Sequence, residues 1–451
     1  MTSRRISTSA NRETKSRTPA SDIELSRRRA IRLLGAGGAL AVLEASSGWA
    51  AGLARAQGSA GDVTAVYGKN FIKETRGNFH YLGTTIAASH WWKFTGDVTP
   101  YEQLFIRNRY RTPIAAKTTW KLKVSGDAIE RPMEFAYGDL IKMRSLTAIR
   151  YHECFGNGKT PFWEQLGMPV TGGNPGFGLV GQVEWHYVPI AEILDRVRPK
   201  RDAVQALFWS GVDGPDTGRP IDFSELRARP EAIGIAYGMN GKDLPPDHGG
   251  PVRAIVPGWG GAASVKWLTE IRIASHRFWT RMHTKEDAMI GPAYPAEQPG
   301  PNDEFTLGVT ASDIRGQTGK WETTKSHLNI PLMLDKSPVI PPGYPLRRGE
   351  RPTRKAGRQT MTGYAYSPAG IQKVDYSVDR GTTWHPATLE GATHREVAWV
   401  RFKFDWNAAP GDHTLMTRAT DKQGKVQPTQ VPYNELGMSN NVIPQFKVRV
   451  A

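Results

Sequence analysis

Residues 150–159 read Arg-Tyr-His-Glu-Cys-Phe-Gly-Asn-Gly-Lys, and this stretch contains Cys154, the single cysteine among the 451 residues. An apolar and aromatic approach followed by a glycine-rich segment indicates a strand that ends in a loop, where functional sites are often built. A thiolate at such a loop can act as a soft metal ligand or as a nucleophile. The alternative is a buried cysteine that serves as a small apolar side chain.

Cysteine content and charge exclude several classes of protein. One cysteine excludes an intrachain disulfide, a Cys₄ zinc site and a cysteine-ligated iron–sulfur cluster. The formal net charge is +16, of which residues 1–56 carry +6 and the remainder +10, which favours anionic partners or substrates. We expect no nucleic-acid binding, because no basic helix, stripe or known motif is present. We expect no stable membrane insertion, because there is no apolar run of 18 residues.

The first 56 residues have the layout of an export signal. Arg27, Arg28 and Arg29 precede a mildly apolar stretch, and Ala54-Arg55-Ala56 offers a small-x-small cleavage site. Residues 1–56 are therefore predicted to be a twin-arginine-type signal peptide with a disordered N-terminus, read by the twin-arginine export machinery. This predicts a periplasmic location. The alternative is a short amphipathic helix on a cytosolic protein.

The rest of the chain divides into a mixed region, a linker and a β-rich region. Residues 67–284 mix strand-like runs with short helices, predicted at Glu134–Met143, Ile190–Val197 and Phe223–Arg229. Residues 285–355 are dense in proline and glycine and are predicted to form an extended linker or wrapping segment. In residues 356–451, apolar side chains alternate along several short runs separated by turns, which predicts a β-sandwich.

Three further segments combine glycines with basic side chains. They are Phe105–Arg109, Asp247–Arg253 and Pro257–Trp267. Glycines allow backbone N–H groups to approach an anion, and histidine, arginine and lysine supply positive charge. Arginine and histidine on loops are most often solvated, so each segment alone is a weak signal. Together they predict a pocket for a phosphate-bearing ligand, and no ordinary nucleotide-binding motif accounts for it.

The order of these motifs resembles the sulfite oxidase family of molybdenum enzymes. The matching pieces are Phe105–Asn108, Cys154–Asn157, Asp247–Arg253, Ser264–Trp267, Gly363–Tyr366 and Asp379–Trp384. The resemblance covers about residues 70–450. It implies an α+β molybdopterin-binding oxidoreductase domain followed by an immunoglobulin-like dimerisation domain, and hence a homodimer.

The resemblance also implies roles for individual residues. Cys154 would be the thiolate bound to molybdenum, and Arg107 would lie near the substrate oxyanion. The implied Mo-molybdopterin ligands are Phe105, Arg107, Asn108, Arg109, Asp213, His248, Arg253, Ser264, Val265 and Lys266. Asp213 is placed by the weaker local match Gly-Val-Asp-Gly at residues 211–214.

Departures from the family pattern concentrate among the residues that the resemblance places next to the substrate. Lys159 stands where the family has arginine, which keeps the charge but loses the bidentate fork. Phe155 replaces a small residue, Thr284 stands in the position of a tyrosine, and Leu436 in that of an arginine. Lys159 is still predicted to contact the substrate, although a solvated loop lysine is the alternative. His152 and His283 are predicted to be structural or surface groups.

The resemblance implies an exported enzyme that oxidises sulfite to sulfate by oxygen-atom transfer. Its substrate would be a small anionic sulfur compound. Electrons would pass singly to an external acceptor such as cytochrome c, because no haem-binding segment precedes Tyr67. Two alternatives remain. The same cofactor could act on another sulfur compound, including protein-bound sulfur, or on another small oxyanion or organic molecule. A non-catalytic β-rich binding or assembly protein would instead contain no molybdenum.

Overall fold

A computed structural model describes residues 77–82, 86–109, 112–159, 165–169, 173–211, 218–317, 324–334, 340–341 and 343–451. All of them belong to one compact unit. The predicted export signal at residues 1–56 and the predicted cofactor ligand Asp213 lie outside these ranges. Within the ranges, strands outnumber helices.

Three sheets form the first half of the described chain. The first sheet contains β1 (Phe79–Tyr81), β2 (Ile86–Ser89) and β3 (Ile106–Arg107). The second contains β6 (Leu146–Glu153), β7 (Val180–Pro189), β10 (Gly234–Met239), β11 (Lys242–Asp243) and β12 (Arg253–Ile255). The third contains β4 (Lys121–Ser125), β5 (Met133–Ala136), β8 (Gln205–Ser210), β9 (Gly218–Asp222) and β13 (Leu268–Ala274). Pairing is antiparallel except between β13 and β4.

Among the described residues, three short α-helices lie between these strands: α1 (Tyr137–Leu140), α2 (Ile190–Val197) and α3 (Phe223–Ala228). Single 3₁₀ turns lie at Trp91–Lys93, Pro246–His248 and Gly261–Ala263. The predictions for α2 and α3 are confirmed, to within one residue at the end of α3. The helix predicted over Glu134–Met143 is correct only for Tyr137–Leu140: its first three residues lie in β5, and its last three form a turn. In β5, the backbone pairs with β4 and only Phe135 is buried, so cross-strand pairing wins over helix formation. In the described ranges, no helix is long and apolar enough to cross a membrane.

A two-sheet β-sandwich forms the second half, as the alternation of apolar residues predicts. One sheet contains β16 (Lys325–Leu328), β18 (Gly357–Tyr366), β21 (Thr388–Glu390) and β22 (Val400–Ala408). The other contains β17 (Thr353–Arg354), β19 (Ile371–Ser377), β20 (His385–Pro386), β23 (Gly411–Asp421) and β24 (Gln445–Val450). Along β22, every second residue is buried in the core between the sheets.

The segment predicted as a linker contributes to both halves. Strand β16 pairs with Gly363–Tyr366 of β18, so the sandwich recruits residues from before position 356. A short two-stranded sheet joins β14 (Phe278–Trp279) to β15 (Glu304–Phe305). The linker is therefore partly built into sheets, because its short strands satisfy backbone groups that would otherwise be left unpaired.

The sandwich contacts the loop that follows β6. The Ser439 backbone N–H donates to the Phe155 carbonyl oxygen at 2.8 Å. The Asn440 side-chain amide donates to the Gly158 carbonyl oxygen at 2.9 Å. Because these bonds come from the C-terminal half, the loop that carries Cys154 is held by both halves of the molecule.

Candidate active site

A cavity of about 140 Å³ opens where the ends of β3 and β6 meet the glycine-rich loop at residues 260–267. Cys154 directly follows β6, and its side chain is partly exposed at the cavity wall. The cavity is lined by Phe105, Arg107, Asn108, Arg109, His152, Cys154, Ser210, Gly218, Arg253, Gly261, Ala262, Ser264, Val265, Lys266, Trp267, Met282 and Asp287.

The backbone around Cys154 is fixed on both sides. Its N–H donates to the Leu179 carbonyl oxygen at 2.9 Å, and its own carbonyl oxygen accepts from the Asn157 N–H at 2.9 Å. Burial raises the pKa of the Cys154 thiol, and the positive charge of Arg107 opposes that rise. A bound metal would remove the thiol proton outright, because metals bind the thiolate form. The thiol is therefore held in a position from which it can bind a group in the cavity.

Arg253 is a buried cation whose orientation is set by backbone carbonyl groups. Its guanidinium donates to the His248 carbonyl oxygen at 2.8 Å and to the Ser264 carbonyl oxygen at 2.6 Å. Burial lowers the pKa of Arg253 to about 9, so the side chain is still charged at neutral pH. His248 acts here through its backbone. Its ring packs edge-on against Tyr101 and does not line the cavity.

Lys266 and Asn108 are joined in one polar network. The Lys266 ammonium donates to Asn108 Oδ1 at 2.6 Å and to the Asp247 carbonyl oxygen at 2.7 Å. The Asn108 amide donates to the Thr112 hydroxyl, which donates to Asp247 Oδ1 at 2.6 Å. These bonds fix a lysine and an amide on the cavity wall, where both can contact an anionic ligand.

The remaining predicted cations lie on the thiol side. Arg107 lines the cavity directly, and Arg109 forms an ion pair with Glu286 at 2.8 Å. Lys159 is buried and does not line the cavity. Its side chain packs against Gly156: a Cβ atom added to that glycine would lie 3.3 Å from Lys159 Cε. Burial lowers the pKa of Lys159 to about 8, while the Cys154 thiolate opposes the shift.

The structure thus brings most of the predicted site residues together. Nine line the cavity: Phe105, Arg107, Asn108, Arg109, Cys154, Arg253, Ser264, Val265 and Lys266. His248 and Lys159 adjoin the site, and Asp213 lies outside the described residues. Their roles toward a cofactor or substrate remain predictions.

Several lining residues were not predicted, and His152 is the clearest case. It was expected to be structural or a surface group, yet it lines the cavity with its ring stacked on Phe105. Burial, followed by the charges of Arg253 and Lys266, lowers the pKa of His152 well below its ordinary value. Residues two apart along an extended chain point to the same face. Because His152 is two residues before Cys154, this spacing could have identified His152 as a residue of the site. Met282 and Asp287 were also missed; the first begins the wide helical turn at Met282–Glu286, and the second directly follows it.

Comparisons with known proteins agree with this geometry. Residues 109–281 match the family "Oxidoreductase molybdopterin binding domain", and residues 347–451 match "Mo-co oxidoreductase dimerisation domain". The mitochondrial sulfite oxidase of Drosophila melanogaster is 26% identical over 373 residues, which is 78% of this chain and 59% of that protein. The chain therefore carries both domains of a molybdopterin oxidoreductase of the sulfite oxidase and nitrate reductase type.

Other relatives are similarly distant. The NADH nitrate reductase of Ulva prolifera is 27% identical over 380 residues, covering 79% of this chain and 40% of that protein. The chain therefore spans between two fifths and three fifths of the length of these relatives. The crystal structure of the sulfane dehydrogenase SoxCD from Paracoccus pantotrophus has a TM-score of 0.64 at 24% identity. That match covers 81% of this chain and 84% of the SoxCD chain. The α+β fold with a C-terminal immunoglobulin-like domain is thus confirmed.

The residues present fit the cofactor of this family. Mo-molybdopterin needs a soft ligand for its metal and positive charge for its phosphate. The cavity is lined by the partly exposed Cys154 thiol and by two cations. These are Arg253, which is buried, and Lys266, which is hydrogen-bonded to Asn108. Cys154 would hold the metal, and the cations at residues 253 and 266 would hold the anionic end of the pterin.

Proposed function

We propose that this protein is a molybdenum sulfite dehydrogenase, which oxidises sulfite to sulfate. The observation that carries the proposal is the single thiol of the chain, exposed to a cavity whose wall also holds Arg107 and Arg109. A soft ligand surrounded by guanidinium groups suits a heavy metal and a small oxyanion at the same place.

Arg107 and Lys159 would bind the substrate beside the thiol. The Arg107 guanidinium has parallel N–H donors that match two oxygens of a planar or pyramidal oxyanion. Lys159 supplies a compact charge, and its burial makes that charge act more strongly than it would in water. The positive potential of the cavity would also draw a dianion in from solution.

The reaction balances with water as the source of the added oxygen. Sulfite and water give sulfate, two protons and two electrons. When bound, the cofactor supplies the two-electron oxygen-atom transfer, which amino-acid side chains cannot perform. The protein would contribute the thiolate ligand, the orientation of the substrate and an environment that favours negative charge.

We propose that the two electrons leave one at a time to an external acceptor such as cytochrome c. We also propose that the chain acts as a homodimer through its C-terminal domain, which matches a dimerisation domain. Export to the periplasm by the twin-arginine machinery is supported by the arginines at 27–29 and the small residues at 54–56. Cell fractionation with an Arg27, Arg28→Lys control tests the location.

The deciding experiment measures sulfite-dependent cytochrome c reduction on a preparation whose molybdenum and pterin contents are known. We expect turnover in proportion to molybdenum content and none in a Cys154→Ser preparation. Absence of sulfite turnover by a fully metallated sample would reject the proposal. Absence of molybdenum after maturation in a competent host would reject the whole enzyme interpretation in favour of a binding protein.

A second candidate keeps the cofactor and changes the substrate. The observation that favours it is the loss of arginine at the substrate end, where Lys159 and Leu436 stand. The alternatives are another sulfur compound, including protein-carried sulfur, or another small oxyanion. The same metallated sample should be assayed with thiosulfate, a protein persulfide and, in the reductive direction, nitrate. A kcat/KM for any of these above that for sulfite would select this candidate.

A further inference from the structure

A buried arginine beside Phe155 has no hydrogen-bond or ion-pair partner among the residues that the structure describes. Arg219 lies on β9 with its backbone paired to Phe208, and its side chain is 1% exposed. Within the described ranges, none of its three guanidinium nitrogens has a hydrogen-bond partner. Burial lowers the pKa of Arg219 to about 10, so the group is charged at neutral pH. A buried charge without a partner is unfavourable, and such groups in proteins are normally paired.

Arg219 does not itself line the cavity, but it adjoins residues that do. The central carbon of its guanidinium lies 5.6 Å from the centroid of the Phe155 ring, and Phe155 directly follows Cys154. Its chain neighbour Gly218 lines the cavity, as does Asp287, on which the Arg219 charge acts. Burial raises the pKa of the Asp287 carboxyl, which weakens its repulsion of an anion.

A second buried donor belongs to His283, in the turn at Met282–Glu286, and the Arg219 charge acts on its ring. Nδ1 of His283 accepts a hydrogen bond from the Thr280 backbone N–H at 3.2 Å, so the proton of the neutral ring is on Nε2. Nε2 is buried and has no hydrogen-bond partner in the part of the chain that the structure describes. Burial and the charge of Arg219 lower the pKa of His283 well below its ordinary value, so the ring is neutral and Nε2–H is a donor.

We propose that Arg219 and His283 bind the oxygens of a small oxyanion substrate, and that they determine its specificity. A guanidinium and an N–H donor that are both buried and unsatisfied would gain a partner when the anion binds. The inference deepens the proposed function, since it names the residues that hold the anionic end of its substrate. Arg219 restores a bidentate fork to a site where Lys159 and Leu436 have replaced arginines of the family pattern.

Sulfate, the product of the proposed reaction, is a suitable probe because it does not turn over. Binding should be measured by calorimetry on the molybdenum-loaded full chain, with sulfate titrated at constant ionic strength. We expect saturable binding by the wild type and a Kd about tenfold higher or more in Arg219→Met. Arg219→Lys should fall between them. His283→Phe should also weaken binding, and His283→Gln, which keeps an N–H donor, should restore part of it.

The control is Arg358→Met, which removes an exposed arginine of the sandwich that pairs with Asp405. We expect it to bind sulfate as the wild type does. Molybdenum and pterin contents should be measured on every variant and should be unchanged in Arg219→Met. If Arg219→Met does not fold, the Arg219→Lys and His283 variants decide the question.

Two results would overturn the inference. One is sulfate affinity that is absent in the wild type or unchanged in the Arg219 and His283 variants. The other is loss of molybdenum or pterin with unchanged sulfate affinity, which would assign the guanidinium to the cofactor. Failure of the proposed function would look different. The wild type would then bind sulfate through Arg219 but would not oxidise sulfite.

Discussion

The ion pair between Lys325 and Glu153 joins the sandwich to the strand that leads to Cys154, and its removal gives the sharpest stability prediction. Lys325 Nζ lies 2.6 Å from Glu153 Oε1, with the two side chains 2% and 11% exposed. The same oxygen accepts from the Tyr366 hydroxyl at 2.9 Å and from the Asn157 amide at 3.0 Å. Lys325→Met removes the cation and leaves the carboxylate with two neutral donors.

The cost can be estimated from the burial of the pair. Removing one partner of a buried pair costs about 3–5 kcal/mol, and the remaining donors place this case at about 3 kcal/mol. An unfolding entropy of about 2.1 cal/mol/K per residue over roughly 400 residues gives about 0.8 kcal/mol/K, and hence a Tm lower by about 4 °C. The double variant Glu153→Gln, Lys325→Met should recover about half of this loss, because an amide can remain hydrogen-bonded without a cation.

Differential scanning calorimetry at one scan rate on wild type, Lys325→Met, the double variant and Lys121→Met tests this estimate. Lys121 is the matched control, because its pair with Glu134 is exposed by 61% and 52% and should contribute little. The reasoning is refuted if Lys325→Met lowers the Tm no more than Lys121→Met does. It is also refuted if the double variant is no more stable than Lys325→Met.

Three further predictions concern the site and the pH dependence of stability. Cys154→Ser should abolish turnover with an unchanged circular dichroism spectrum, and normal turnover would contradict the thiolate-ligand interpretation. Arg253→Ala should lower pterin content, measured by fluorescence of the oxidised pterin, because the anionic end loses a buried cation; unchanged occupancy would show that Arg253 is misassigned. Burial lowers the pKa of His327 to about 3 from 6.5, so the unfolded chain binds the extra proton and stability falls as pH drops from 6.5 towards 3. His327→Leu should flatten that fall by up to about 1.4 kcal/mol per pH unit in chemical denaturation, and an equal slope in both proteins would contradict this.

Periodic patterns predicted the regular elements well. The alternation at Val400, Phe402 and Phe404 identifies β22 because each of these side chains is buried between two sheets. The helix over Ile190–Val197 was predictable for a similar reason, since Ile190, Ile193 and Val197 form one buried face. Where pairing with a neighbouring strand decides the outcome, as at Glu134–Ala136, local pattern is insufficient.

The candidate site was predictable where charge and glycine occur together in short segments. Lys266 and Arg253 belong to such segments, and the fold brings both to one cavity. Arg219 could not be predicted in this way, because a single arginine in a sequence looks the same whether it is solvated or buried. Arg219 is distinctive because the fold buries it against Phe155 and because its guanidinium has no hydrogen-bond partner within the described residues.

The hydrogen bonds from Ser439 and Asn440 to the loop after β6 have a practical consequence for engineering. A shortened protein that ends before residue 347 would retain Cys154 but would expose the Phe155 and Gly158 carbonyl groups to water. We expect the thiol loop of such a fragment to lose its fixed geometry. The β-sandwich is thus part of the scaffold that fixes the thiol loop, and we expect that a minimal catalyst or a chimera made from this protein must keep both halves from the same parent.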